Sequence, residues 1–361
     1  MFKVLSIQTA LSIQAHPDKV LANELHNNFP VIYKDNNHKP EMAIALTPFE
    51  ALSGFRSVEN IRQHLNEYPE LRFAYSLTHL LAHPLTHSLI HSLTHSLIHS
   101  LTHSLTHSLT HCRCIIEYDS NSANIDNDDT LIVRHLFEKF MRCPDEICNT
   151  HLRTVVARLR AASTMSELDR LVLRLHADYP NDRGILCPLL FNYIKLDVGE
   201  GFFMGANIPH AYISGDCVEC MALSDNVVRA GLTPKFKDVD TLLRMLDYTP
   251  GNPSILSTTA IDEYTLLYRP DTTSCAEFEV EFTSLPAATT EYTYPTVPCA
   301  SILLVLRAPT SGCHMVVNGD KCSITQGDVL YIHANAVVNI QISNSNPAQN
   351  CRFYRAHANL G

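Results

Sequence analysis

The alternation of apolar and polar positions predicts a strand-rich beginning. Residues 1–7 alternate as a β-strand that runs on towards Gln14, and residues 42–46 form an apolar run typical of a buried strand. Residues 18–28 and 58–71 space their apolar side chains as short helices do. The first seventy residues therefore predict strands with two helices beside them.

The middle of the chain predicts a helical insert. Residues 131–141 and 152–176 show helical spacing with basic residues between the apolar ones. Arg153, Arg158 and Arg160 then share a basic face. We interpret this face as solvated, with a lid over a bound substrate as the alternative.

Strand patterns return after the insert. Residues 188–198 predict a strand, and a glycine turn then leads through a short apolar strand to Pro209 and His210. The further elements predicted are a tight turn at Gly215-Asp216, a strand at 217–223, a helix at 239–246 and a linker at 250–253. Strands predicted at 278–282, 301–307 and 337–342 indicate a second barrel.

An internal echo relates the two strand-rich parts. Residues 327–335 repeat the glycine and the Ala-Asn pair of residues 199–207 at the same offsets. The position equivalent to His210 is then Val338, which predicts a second barrel that lacks this histidine. We interpret His333 as an exposed or satisfied histidine and not as a metal ligand.

A tetrapeptide repeat of the Ser-Leu-Thr-His type separates the first strands from the insert. Nine histidines from His79 to His111 recur every four residues. A period of four drifts by about 40° per repeat against a 3.6-residue turn, so neither histidines nor leucines form a stripe on a helix. We interpret the repeat as expanded sequence without a catalytic role. The alternative is that the repeat stores metal ions. Unchanged metal binding after deletion of residues 76–111 would exclude this alternative.

Composition narrows the function classes. The formal charge of −10 over 361 residues argues against non-specific nucleic-acid binding. Twelve cysteines without a small-domain framework or an N-terminal signal indicate a reducing cytosol. Cys217 and Cys220 are expected to be buried strand residues. No apolar run reaches roughly 18 residues, which argues against a spanning helix.

Four side chains from distant parts of the chain suit one divalent cation. Gln14 and His16 are two residues apart, so both point to the same face of an extended segment. Glu41 opens an apolar run and supplies negative charge, and His210 lies at a strand end. This mixture of ligands suits zinc with an open position. Each residue alone also has an ordinary explanation, as a strand-edge amide, a turn histidine, a boundary charge and a loop histidine.

The blocks around these residues resemble the type I mannose-6-phosphate isomerases over residues 2 to about 70 and about 115 to 361. The matching motifs are Gln14-Ala15-His16, His38-Lys39-Pro40-Glu41, Pro209-His210-Ala211-Tyr212 and Arg229-Ala230-Gly231-Leu232-Thr233-Pro234-Lys235. The resemblance implies a mainly β fold with two cupin-like (jelly-roll) β-barrels plus an α-helical domain. It also implies one zinc ion per chain on Gln14, His16, Glu41 and His210, and Arg229 as the active-site arginine.

The resemblance implies an isomerase that interconverts D-mannose 6-phosphate and D-fructose 6-phosphate through an enediol and feeds GDP-mannose synthesis. The expected partner is a small sugar phosphate, with no nucleic acid and no membrane, for a cytoplasmic monomer. The substrate contacts that we expect are Lys39, Tyr212, Glu219, Asp225 and Lys235. The alternative is a catalytically impaired or non-enzymatic metal-binding cupin protein.

Five segments follow from these patterns. The family has several dozen further residues before this start, some with tryptophan, whereas this chain has none. We therefore expect the N-terminal strands of the first barrel to be missing. The segments are 1–70 and 185–250 for the catalytic cupin domain, 71–114 for the histidine repeat, 115–184 for the helical domain, and 251–361 for a C-terminal cupin-like domain without a metal site.

Overall fold

The computed structural model describes residues 1–73, 128–343 and 350–361. The histidine repeat and the start of the predicted helical domain lie outside these ranges. Among the described residues, no helix has the length and apolar character needed to cross a membrane.

The first barrel consists of two antiparallel sheets that share one strand. One sheet has the order β1-β7-β3-β6-β9, and the other has the order β8-β2-β7-β4-β5. The strands are β1 (Phe2–Ile7), β2 (Ile13–Ala15), β3 (Glu41–Ala45), β4 (Phe49–Phe55), β5 (Phe191–Leu196), β6 (Gly201–Met204), β7 (His210–Met221), β8 (Val228–Gly231) and β9 (Ile255–Leu256). Strand β9 pairs with β6, so this sheet extends past the predicted boundary at residue 250.

Strand β7 bends at Gly215, where it passes from one sheet to the other. Its first part pairs with β4, and its second part pairs with β1 and β3. Gly215 has φ +108°, and a Cβ there would lie 2.5 Å from the carbonyl oxygen of Pro48. The tight turn predicted at Gly215-Asp216 is therefore wrong. Glycine at this position permits a bend within a continuous strand.

Two short helices follow the predicted positions. Helix α1 (Lys19–Asn28) begins after Asp18, whose carboxylate accepts the Leu21 N–H at 2.8 Å. Helix α2 (Val58–Glu67) is shorter than the predicted 58–71 and is followed by a 3₁₀ turn at Pro69–Phe73. Pro69 explains the early end because a residue before proline disfavours helical backbone.

The helical insert packs its apolar side against the first barrel. It contains α3 (Asp129–Arg142), α4 (Asp145–Ala161), α5 (Glu167–Asp178) and a 3₁₀ segment (Arg183–Leu189). The predicted helix 152–176 is two helices, because Ser166 and Asp169 form a capping box that begins α5. The predicted basic face of α4 is exposed, although Arg158 also pairs with Glu70.

The second barrel follows α6 (Val239–Met245) and again has two antiparallel sheets. Their orders are β10-β11-β12-β19-β14-β17 and β13-β18-β15-β16. The strands are β10 (Thr258–Ala260), β11 (Thr265–Tyr268), β12 (Glu279–Leu285), β13 (Glu291–Thr293), β14 (Ser301–Arg307), β15 (Cys313–Val317), β16 (Asp320–Ser323), β17 (Val329–Ile332), β18 (Val338–Ile342) and β19 (Cys351–His357). Two barrels with a helical insert confirm the predicted fold class.

The internal echo has a structural counterpart. Val338 begins β18 and is fully buried, just as His210 begins β7 and is buried. Val338 packs among apolar side chains, whereas His210 faces a carboxylate. The two barrels thus use equivalent strand starts for packing in one case and for a polar site in the other.

A buried charged cluster occupies part of the second barrel. The His357 imidazole lies between two carboxylates, with Nδ1 3.3 Å from Glu279 Oε1 and Nε2 3.3 Å from Glu281 Oε1. Burial alone lowers the pKa of His357, but the hydrogen bond to Glu281 and the charges of both carboxylates outweigh it and raise the pKa.

We expect His357→Gln to destabilise the protein most in acid. A raised folded-state pKa means that the stabilisation is fully present below the unfolded value of about 6.5 and is lost as pH rises through the higher folded value. Urea unfolding of both proteins between about pH 5.5 and 8.5 should show a free-energy difference that shrinks with pH. A difference that stays constant over this range contradicts the protonated state of His357.

Candidate active site

Three of the four predicted metal ligands converge in the first barrel. His16 directly follows β2, Glu41 opens β3 and His210 opens β7. One ligand atom from each lies within 4.8 Å of the others. The Nε2 atoms of His16 and His210 lie 3.4 and 3.2 Å from the two carboxylate oxygens of Glu41. All three side chains are buried.

Backbone carbonyls set the tautomers of both histidines. His16 Nδ1 donates to the carbonyl of Asn226 at 2.6 Å, and His210 Nδ1 donates to that of Ile208 at 2.8 Å. Since a carbonyl can only accept, Nδ1 of each ring carries a proton, and Nε2 is the nitrogen that can bind a metal ion when the ring is neutral. Neither Nε2 has a hydrogen-bond partner.

The donor set fits a divalent cation. Burial lowers the pKa of His16, which favours the neutral ring. Burial by itself raises the pKa of Glu41, but its contacts with His16 and His210 hold it well below its usual value. One ligand atom each from His16, Glu41 and His210 converges in this buried site, so the three side chains can bind one cation together. Two imidazoles and a carboxylate are ligands of catalytic zinc sites.

Gln14 lies beside this cluster. It is opposite His210 in the pairing of β2 with β7, and it is half-buried. Ser12 Oγ donates to its side-chain oxygen at 3.2 Å. Its role as a fourth ligand stays a prediction.

A cavity of about 350 Å³ adjoins the cluster. Three of the predicted site residues line it, namely Lys39, Asp225 and Arg229. Lys39 is the link between them and the cluster, because its Nζ lies 3.0 Å from Glu41 Oε1. The volume is within the range of small-molecule sites. The remaining lining residues are Ile32, Tyr33, Lys34, Val227, Phe236 and Asp238.

The other predicted substrate contacts lie elsewhere. Tyr212 is buried in the barrel with its ring edge-on to Phe49 at 5.5 Å, and burial raises its pKa well above the ordinary value. Glu219 is buried and forms an ion pair of 2.8 Å with Lys3. Lys235 is exposed. None of these three predicted contacts lines the cavity, so their substrate contacts stay predictions.

Sequence reasoning missed Lys3. Its side chain shares the inward face of β1 with Leu5 and Ile7, which pack against the apolar barrel interior. The sequence places this lysine on the same face of β1 as the inward-facing apolar residues. A lysine at such a position indicates a buried partner of opposite charge, which here is Glu219.

Asp182, also missed, supports the end of the strand that carries Arg229. Its carboxylate accepts the N–H groups of Gly184, Leu232 and Thr233 at 2.7, 2.9 and 3.2 Å. The turn packs closely there, since a Cβ on Gly231 would lie 2.6 Å from the Cα of Gly184. Asp182 thus fastens the helical insert to the segment after β8.

We expect Asp182→Ala to lower the free energy of unfolding by about 1–3 kcal/mol, because partly buried N–H groups lose their acceptor. Urea unfolding measures the change. Asp178→Ala is the matched control, because Asp178 is an exposed aspartate of the same insert. Equal stabilities of the two variants contradict the role of Asp182.

Comparisons with known proteins agree with this architecture. The model of the type I phosphomannose isomerase catalytic domain matches residues 1–58, and that of the helical insertion domain of the same family matches residues 108–191. Mannose-6-phosphate isomerase 2 of Arabidopsis thaliana is 36% identical over 365 residues, which cover 99% of this chain and 71% of that protein. The human mannose-6-phosphate isomerase is 37% identical over 355 residues, which cover 95% and 74%.

Solved structures show the same fold. A zinc-bound mannose 6-phosphate isomerase superposes with a TM-score of 0.72 at 25% identity, covering 99% of this chain and 78% of that chain. A point variant of phosphomannose isomerase from Salmonella typhimurium gives 0.73 at 25% identity, with the same coverage.

Proposed function

Since the chain belongs to the type I phosphomannose isomerase family, we propose that it is a zinc-dependent isomerase that interconverts D-mannose 6-phosphate and D-fructose 6-phosphate. The observation that carries the proposal is the pair of unpartnered Nε2 atoms facing Glu41, next to a cavity lined by Lys39 and Arg229. The proposed zinc ligands are His16, Glu41 and His210, with Gln14 as the fourth.

The side chains of the cavity suit an anionic sugar. Lys34, Lys39 and Arg229 bring three positive charges to its wall, against Asp225 and Asp238. A sugar phosphate carries about two negative charges, so a basic wall favours its binding. We propose Lys39 and Asp225 as substrate contacts here, and Tyr212, Glu219 and Lys235 as further ones.

The reaction moves a proton from C2 to C1 of the open-chain sugar through an enediol. Zinc, when bound, polarises the carbonyl and hydroxyl oxygens of the sugar. Arg229 supplies a fixed guanidinium that stabilises the developing enediolate or holds the phosphate in a forked contact. Lys39, held against Glu41, places a cationic N–H donor between the metal ligands and the cavity. Proton transfer also requires a titratable group within reach of C1 and C2.

The domain arrangement and setting complete the proposal. We propose residues 1–70 and 185–250 as the catalytic cupin domain, with β9 added from the following segment, and residues 115–184 as the helical domain, of which the structure describes residues 128–184. The ten cysteines that the structure describes are free thiols, which supports a reducing cytoplasmic location. We propose a cytoplasmic monomer whose product feeds GDP-mannose synthesis.

An isomerase assay tests the proposal. The purified chain, loaded with zinc, should convert fructose 6-phosphate to mannose 6-phosphate, and a chelator should abolish the turnover. Folded protein that binds one zinc ion and shows no turnover would favour the alternative of a non-enzymatic metal-binding protein.

A further inference from the structure

Two loop segments of the first barrel are joined through one carboxylate. Asp35 accepts the Asp225 N–H on Oδ2 at 2.7 Å and the Asn37 N–H on Oδ1 at 3.0 Å. The Ser224 hydroxyl and the Asn226 side-chain amide also donate to Oδ1, at 2.8 and 3.2 Å. We call Asp35, Asn37, Ser224 and Asn226 the Asp35 cluster.

Further hydrogen bonds close the Asp35 cluster. The Asn226 amide also donates to the backbone carbonyls of Asp35 and Asn37, at 2.7 and 3.1 Å. The Ser224 hydroxyl accepts the Asn226 N–H at 3.1 Å. Asn226 is buried, with 1% of its surface exposed. Hydrogen bonds to an ionised acceptor such as Asp35 are stronger than bonds between neutral groups, and the bond from the Asn226 amide is partly buried.

The two segments have no regular structure of their own. Residues 34–40 follow the end of α1 and precede β3, and residues 222–227 connect β7 with β8. Neither segment lies in a helix or strand, so side-chain hydrogen bonds take over the role of a backbone ladder. Asp35 is the common acceptor of both segments.

The Asp35 cluster touches all three parts of the proposed site. The carbonyl of Asn226 accepts the Nδ1 proton of His16 at 2.6 Å. Asn37 lies two residues before Lys39 and four before Glu41. Asp225, whose N–H is bound by Asp35, itself lines the cavity with Arg229. Through these contacts the Asp35 carboxylate is connected to His16, to the segment that carries Lys39 and Glu41, and to the wall of the cavity.

We propose that Asp35 is a positioning residue for the metal site, which holds the Asn226 carbonyl where it fixes the tautomer and orientation of His16. The proposal rests on the zinc site of the proposed function, and it adds a residue without contact to metal or substrate. Asn226 is the direct partner of His16, and such partners typically contribute about 10–100-fold to metal affinity, whereas Asp35 acts through Asn226. The many bonds to Asp35 also hold its pKa below the ordinary value, although burial alone raises it.

The variant Asp35→Asn tests this role in the full chain. Asparagine keeps the size of the side chain but replaces one carboxylate oxygen with an NH₂ group, which faces N–H and O–H donors instead of accepting from them. Zinc affinity, measured by competition with a chromophoric chelator, should fall by up to about 10-fold, which is at the lower end of the effect of losing a direct partner of a ligand. Asp320→Asn is the matched control, because Asp320 is an exposed aspartate of the second barrel. It should leave zinc affinity unchanged.

A second measurement separates positioning from general stability. Thermal unfolding is followed with and without zinc at one fixed concentration, because a ligand that binds the folded state raises the midpoint more when it binds more tightly. Positioning predicts a smaller zinc-induced rise for Asp35→Asn than for the parent protein. A lower midpoint with an unchanged zinc-induced rise shows a purely structural role and overturns the proposal.

Ser224→Ala covers the case in which Asp35→Asn does not fold. It removes one donor to Asp35 and leaves the carboxylate in place. Zinc affinity should fall by a smaller factor in the same direction, and an affinity equal to that of the parent overturns the proposal. Zinc binding is measured without turnover. An inactive parent protein therefore contradicts the isomerase assignment, while a selective loss of zinc affinity in Asp35→Asn still supports the positioning role.

Discussion

Arg229→Ala should lower kcat by about 10²–10³-fold while the protein keeps its zinc, because the loss of one preorganised donor to a developing negative charge costs about that factor. The geometry supports this separation. Arg229 lines the cavity next to Lys39, whereas the three converging ligand atoms come from His16, Glu41 and His210. Steady-state kinetics together with zinc content per chain measure both effects.

Two further variants sharpen the Arg229 test. Arg229→Lys retains the positive charge but loses the planar guanidinium group. If two parallel hydrogen bonds from that group hold the substrate, the rate of this variant should lie between those of the parent protein and Arg229→Ala. Arg160→Ala, at an exposed arginine of the helical insert, should leave kcat unchanged. Undiminished turnover in Arg229→Ala would remove this residue from the mechanism.

His210→Ala should abolish zinc binding at micromolar metal and with it the isomerase rate. His210 is a direct ligand in the proposed site, so its loss should exceed the roughly 10–100-fold effect of losing an outer partner. The zinc-induced rise in the unfolding midpoint should also disappear, since that rise depends on binding to the folded state. Metal analysis and thermal unfolding check the two parts independently.

His333→Ala is the internal control for His210→Ala. His333 is an exposed histidine of the second barrel, in the segment that echoes the approach to His210. Its replacement should leave zinc at one per chain. A His210→Ala protein that holds one zinc ion with the parent's affinity would contradict the proposed ligand set.

The sequence predicted the elements whose side chains alternate or repeat locally. Strands β1 and β14 lie within a residue of their predicted bounds, because each is a local pattern rich in apolar residues that favour strands. Helix α6 was predicted within one residue for the same reason, with a period of 3.6. The resemblance of their motifs to a family predicted His16, Glu41 and His210 as metal ligands, and the folded chain brings these three side chains together.

Features set by distant contacts were not predictable from local pattern. The glycine at position 215 indicates a turn in sequence, but its pairing with Ile7 and its closeness to Pro48 make it a bend inside β7. Asp35 and Asp182 are loop aspartates without periodic context. Their partners lie about 190 and 50 residues away, so only the folded chain shows that their carboxylates hold other segments.

Strand β7 has a consequence for amide hydrogen exchange. Its first part pairs with β2 and β4 and its second part with β1 and β3, so each part has a neighbouring strand on both edges. Its amides should therefore exchange among the slowest in the molecule, through global opening. Since His210 begins this strand, hydrogen exchange at its backbone amide should measure the opening of the whole first barrel. A bound metal ion should be released only when that barrel opens or through the cavity beside Lys39.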